Sequence, residues 1–159
     1  MIGALMVFNG IIEGDELLGL VPHKGKMFLL SRITYYDTEK TTLKSEFDIT
    51  ESCLFYKKSI SGLPAWAGFE LMAQSISAFS GICGREQGRG AKPGVILSIT
   101  NMEISTEALK STVKIEISED CRVDQLWTFN SSIFSEGKKA IQAKLTVMDV
   151  DNLNMILGK

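Results

Sequence analysis

Apolar and polar positions along this chain follow two different periods, and the change between them separates its elements. "TTLKSEFDI", from residue 41, sets Leu43, Ser45, Phe47 and Ile49 against Lys44, Glu46 and Asp48, the two-residue period of a strand covered on one side. The same alternation returns in "STVKIEISED", where Val113, Ile115 and Ile117 oppose Lys114, Glu116 and Ser118. It returns again in "AIQAKLTVMDV", which puts Ile141, Ala143, Leu145 and Val147 on one side. "KMFLLSRITYYD", "VILSITNMEI" and "LWTFNSSIF" are rich in β-branched and aromatic residues and read as further strands. "SEGKK" supplies the turn between the last two strands.

Between residues 64 and 84 the period becomes helical. Trp66, Phe69, Met72, Ala73, Ile76, Phe79, Ile82 and Cys83 cover more than one stripe, so this helix belongs in the middle of the fold. Pro64 suits its first turn, where a missing N–H costs nothing, and the glycines of "GREQGRGAKPG" end it. Upstream, "IIEGDELLGLVPH" predicts a short helix stopped before Pro22, because the residue before a proline avoids helical angles. Residues 51–63 read as irregular, and the tail "DNLNMILGK" as a loose end or a dimer contact. No internal repeat interrupts the pattern, so residues 1–159 form one domain.

Two strands, one long buried helix and then several antiparallel strands make an α+β pattern. The simplest packing of these parts is a twisted antiparallel sheet wrapped around one central helix, which is the hotdog fold. With 159 residues the chain can bury roughly 70% of the surface its unfolded form exposes, so its core needs no staples. The net charge of −2 offers no basic stripe for nucleic acid. Cys53, Cys83 and Cys121 lie far apart, without the count of a disulfide framework or the spacing of a zinc site, and His23 is the single histidine. No metal and no cofactor are expected. The opening "MIGALMVF" lacks the cationic lead of a secretory signal, and no stretch approaches the roughly 20 apolar residues of a membrane span. The expectation is a reduced, cytoplasmic protein.

One residue breaks the pattern of the central helix. In "LPAWAGFELMAQS", Glu70 stands among Trp66, Phe69, Leu71, Met72 and Ala73, where a charge is rarely left without a partner. Taken alone this is a buried acid satisfied by hydrogen bonds, an acid at a dimer seam, or a functional carboxyl. Ser59 and Ser61 have no second histidine to activate them, which argues against a serine hydrolase.

Two stretches bear on that choice. "LVPHKGKMFLLSRI" resembles the Pro-His opening strand of bacterial 3-hydroxyacyl-acyl-carrier-protein dehydratases of the FabZ/FabA type, and "LPAWAGFELMAQS" resembles the start of their central helix, with Pro64, Glu70, Met72, Ala73 and Gln74 in register. The details are more similar to a divergent branch, the ApeP-like dehydratases associated with aryl-polyene synthesis. The resemblance implies dehydration of a 3-hydroxyacyl thioester, held on the phosphopantetheine of an acyl carrier protein, to the 2-enoyl thioester.

That reaction needs a base for the α-proton, an acid for the leaving hydroxyl and donors for the thioester oxygen. On the resemblance, His23 is the base and Glu70 the acid, since an apolar pocket favours a protonated carboxyl. The N–H groups around Ala65 and Trp66 would hold the carbonyl. Where the family carries its usual histidine this chain has Tyr56, a candidate for lining the pocket and orienting substrate. Lys57 and Lys58, with Arg85 and Arg89 after the helix, are candidate docking residues for an acidic carrier protein. The resemblance also implies a homodimer or a dimer with a second hotdog chain. Two other readings stand beside dehydration: a non-catalytic subunit that completes the tunnel of a partner, and an acyl thioesterase.

Overall fold

The computed structural model of the chain describes residues 6–90 and 92–158; the first five residues of "MIGALMVF" lie outside it. β1 (Val7–Ile12), α1 (Gly14–Leu18), β2 (Arg32–Asp37) and β3 (Thr42–Asp48) come first, followed by β4 (Leu63–Pro64) and α2 (Gly68–Glu86). Next are β5 (Gly94–Ile104), β6 (Ala108–Leu109), β7 (Thr112–Val123), β8 (Leu126–Ser135) and β9 (Lys138–Asp149), and α3 (Val150–Ile156) closes the series. Seven strands form one sheet in the order β1-β2-β3-β7-β8-β9-β5, while β4 pairs only with β6. Every pairing is antiparallel. α2 packs on β3, β7 and β8, the middle of the sheet, which is the hotdog arrangement expected from the patterning.

The alternation decides which face meets the helix. Leu43, Ser45 and Phe47 of β3 lie opposite Ile117, Ile115 and Val113 of β7, and all six side chains are buried. α2 answers with Leu71, Met72, Ile76, Ala78, Phe79 and Ile82. Each large apolar side chain fully buried here contributes about 1.5–3 kcal/mol, so this interface dominates the core. Ser45 is the one polar member of the β3 set. Its Oγ lies 2.7 Å from Ser75 Oγ of α2, which also reaches the Leu71 carbonyl at 2.9 Å, so neither buried hydroxyl is left unpaired.

Several boundaries differ from the sequence expectation. Ile11 and Ile12 finish β1, which pairs with β2, and the helix that follows spans only Gly14–Leu18. Residues 28–31 are not in a strand: the Leu29 N–H goes to the Gln74 side chain instead of a neighbouring strand. Pro64 belongs to β4, and Ala65–Ala67 form a 3-10 turn before α2 begins at Gly68. Trp66 is 51% exposed, because that turn aims it away from the core and against the edge of Phe55 at 5.7 Å. The tail is the helix α3, whose first turn is capped by Asp149 Oδ1 accepting the Asn152 N–H at 2.8 Å.

The approach of the loop before His23 to α2 depends on one glycine. A Cβ on Gly81 would lie 2.0 Å from the Leu20 carbonyl oxygen, a backbone atom with no rotamer to yield. Gly81→Ala should therefore displace the Leu20–His23 segment and cost about 1–3 kcal/mol, read as a lowered denaturation midpoint. An unchanged midpoint would mean that the contact relaxes freely.

Candidate active site

Three residues from two segments meet at the N-terminal end of α2. Glu70 sits in its first turn and Gln74 one turn later, where i and i+4 positions share a face. The segment from Leu20 to Leu29 runs beside that face and brings His23 to Glu70, with Nε2 3.3 Å from Oε1. Gln74 Nε2 donates to the same Oε1 at 3.0 Å. Glu70 is thus a partnered acid at the edge of the core, its side chain 15% exposed, and that is how an otherwise apolar helix tolerates it. The second imidazole nitrogen, His23 Nδ1, is buried with no hydrogen-bond partner among the described residues, so one ring nitrogen is unused.

A cleft of about 990 Å³ opens beside this pair. Along α2 its wall is Glu70, Ala73, Ser77, Ser80, Cys83 and Gln87, a run of about 25 Å at the helical rise per residue. The far side includes Ile96 of β5, Trp127 of β8 and Val147 of β9. The cleft thus follows α2 from the His23–Glu70 pair to beyond the end of the helix. Burial, aided by Glu86, pushes the Cys83 thiol up from its ordinary value, so this thiol stays protonated and is a poor nucleophile.

The cationic side chains fall into two groups. Arg89 and Lys92 line the cleft beyond the end of α2, as does Arg122, which stacks over Trp127 with its guanidinium carbon 3.8 Å from the ring centre. Arg85 is not among the lining residues; its Nη1 reaches Glu16 Oε1 at 3.3 Å. Lys57 and Lys58 lie at the 3-10 turn Lys58–Ile60 and do not line the cleft. Nor does Tyr56, which is half-buried in the preceding loop. The Ala65 N–H is already spent on the Glu107 carbonyl at 3.0 Å, and neither Ala65 nor Trp66, the two expected amide positions, is among the lining residues. Among the described residues no group of three or more His, Cys, Asp or Glu could hold a metal ion. No helix of the described residues is long and apolar enough to cross a membrane.

Patterning alone did not single out Ala73, Ser77 and Ser80 as a wall, because small residues on a buried helix read as packing. The i, i+4 spacing of Glu70 and Gln74 was the available signal for Gln74.

Known structures share this architecture. The dehydratase heterocomplex ApeI:P from Xenorhabdus doucetiae matches with a TM-score of 0.78 at 18% identity, covering 90% of this chain and 97% of that one. A phenylacetic acid degradation-related protein from Ralstonia eutropha matches with a TM-score of 0.58 at 15% identity, over 73% of this chain and 82% of that one. A hypothetical thioesterase with coenzyme A from Streptococcus pneumoniae reaches 0.52 at 12% identity, over 70% and 80%. Among curated proteins none matches the sequence significantly. These similarities concern the fold. The family assignment comes from the sequence, whose residues 16–158 match the ApeP dehydratase model: the chain belongs to the ApeP-like dehydratase family.

Proposed function

We propose that this protein dehydrates a 3-hydroxyacyl thioester to the 2-enoyl thioester, with the acyl chain in the cleft and the thioester near the N-terminal end of α2. The observation that carries the proposal is the 3.3 Å contact between His23 Nε2 and Glu70 Oε1 at the head of a long cleft. His23 takes the proton from the α-carbon, and the electron pair forms the double bond as the β-hydroxyl departs. Glu70 in its protonated form gives that hydroxyl its proton, so water leaves. The imidazolium and carboxylate so formed then return to their starting states by one proton transfer across their contact. The Trp66 N–H, at the N-terminal turn before α2, would donate to the thioester oxygen as charge gathers there.

The acyl group reaches the site on the phosphopantetheine of an acyl carrier protein. Arg89 and Lys92 at the cleft are the stronger docking candidates, while Lys57, Lys58 and Arg85 would act only through a wider positive surface. Family membership supports this class of substrate, and aryl-polyene synthesis is the setting it suggests. The chain is also proposed to pair with a second hotdog chain, identical or not. β5 is an edge strand of the sheet, and Leu97, Ile99, Met102 and Ile104 are exposed along it. A long apolar edge left open is a template for another chain.

The deciding experiment follows enoyl-thioester absorbance with a 3-hydroxyacyl carrier-protein substrate, the chain being assayed alone and with a copurifying hotdog partner. Absorbance growth without thiol release is the expected result. Thiol release without enoyl formation would instead identify an acyl thioesterase, the reading favoured by the thioesterase neighbour of the fold. Activity that survives His23→Ala and Glu70→Gln in the presence of a partner would identify a non-catalytic subunit, the reading favoured by Tyr56 at the family's usual histidine position.

A further inference from the structure

Gln74 is fully buried, yet every hydrogen bond its side chain makes goes to Glu70 or to the segment that leads on from His23. Its Oε1 accepts the Leu29 N–H at 2.9 Å. Its Nε2 donates to the Met27 carbonyl at 2.6 Å and to Glu70 Oε1 at 3.0 Å. Two of the three partners belong to the segment that leads on from His23, and the third is the acid. One amide therefore clamps the histidine segment to the helix and holds the carboxylate at the same time.

Buried Leu20, Val21, Leu29 and Leu30 anchor that segment by packing, but no strand ladder fixes its backbone. The strand that follows begins only at Arg32, and residues 25–27 form an isolated 3-10 turn. Without the Gln74 bonds, the Leu29 N–H and the Met27 carbonyl would lose partners that no strand replaces. The carboxylate has an equal need, because a glutamate side chain is flexible and its two oxygens are interchangeable. A donor fixed on Oε1 selects the oxygen that meets His23 Nε2 and leaves Oε2 to the cleft. Preorganisation of this kind matters because displacing a reacting group by about 1 Å can cost roughly 100-fold in rate.

We propose that Gln74 is the positioning residue of this site, setting the His23 segment and the Glu70 carboxylate in register with each other. The proposal rests on the reading of His23 and Glu70 as the acid–base pair. It assigns Gln74 no contact with substrate.

The single histidine makes a direct test possible, because the imidazole C–H signals in a proton NMR spectrum report His23 alone. The measurement needs no turnover. At a fixed pH Glu70→Gln should displace those signals, and Gln74→Met should reproduce most of that displacement, since it has the length of glutamine and none of its hydrogen bonds. In the activity assay Gln74→Met should lower kcat about 10- to 100-fold with KM within about threefold. Gln74→Glu is the second variant. It keeps the acceptor for the Leu29 N–H, and it can donate to Glu70 only when protonated. Its kcat relative to the unmodified protein should therefore recover as the pH falls, a response that a merely structural role would not produce.

A folded Gln74→Met protein with unmoved His23 signals overturns the proposal. Should Gln74→Met fail to fold, a Gln74→Glu protein with unmoved His23 signals and the unmodified pH profile does the same. If Glu70→Gln itself leaves the His23 signals and turnover unchanged, the acid–base reading fails instead, and the two failures are distinct.

Discussion

Glu70→Gln is expected to lower the rate of enoyl-thioester formation by about 10²- to 10⁴-fold, the range over which a positioned acid or base contributes. The fold should be unaffected. The amide oxygen of the new side chain can still accept the Gln74 Nε2–H donated to Oε1 of the native carboxylate, so no buried partner is orphaned. His23→Ala should lower the rate by a similar factor, again without unfolding, because it removes a partly exposed ring whose Nδ1 makes no hydrogen bond. The double variant should be little worse than either single one, since the two groups act on one proton circuit. Enoyl absorbance with the denaturation midpoint of each variant checks all three statements. Retention of more than about a tenth of the rate in folded Glu70→Gln would end the assignment of the acid.

The other large effect concerns β5. Ile99 lies opposite Leu145 of β9 and Ile104 opposite Ile141, and residues directly opposite in an antiparallel pair share a face. Leu145 and Ile141 are buried, whereas Ile99 is 37% and Ile104 45% exposed. The inner face of the sheet thus runs on past the reach of α2 and leaves apolar side chains uncovered, the face on which the proposed second chain would sit. Ile99→Lys combined with Ile104→Lys should dissociate the proposed pair of hotdog chains. Each change at a central contact should cost about 2 kcal/mol or more, a roughly 30-fold weakening apiece. Sedimentation velocity would show the shift to a slower species, with circular dichroism unchanged. An unmoved sedimentation coefficient would place the partner on another surface.

Both predictions depend on features that differ in how far they were legible beforehand. The alternation of β3 and β7 and the helical run of α2 were readable, because burial on one face imposes a period that no other arrangement of those residues satisfies. Trp66 shows where the same reasoning fails. Its spacing suits the helix, but the 3-10 turn at Ala65–Ala67 rotates it out of register and into solvent. Leu29 shows the converse. Its neighbours have strand composition, yet a side-chain acceptor on α2 takes its N–H, and pairing with β3 starts only at the Ser31 N–H, which donates to the Glu46 carbonyl at 2.8 Å.

The site divides in the same way. His23 and Glu70 stood out from their residue types and from the resemblance of the surrounding motifs. Their approach to 3.3 Å is a property of the folded chain, as are the clamp by Gln74, the seat of Leu20 against Gly81 and the loss of the Ala65 amide to Glu107. The docking candidates behaved likewise: Arg89 came to the cleft while Lys57, Lys58 and Arg85 did not, a difference no local spacing encodes. The sequence by itself determined the alternating strands, the central helix, the hotdog class and the two residues on which the chemistry is proposed to rest, since periodicity and side-chain chemistry are local. Only the tertiary structure decided which amides remain for a substrate, which cations line the cleft and which edge stays open, because each depends on groups far apart in the chain competing for one partner.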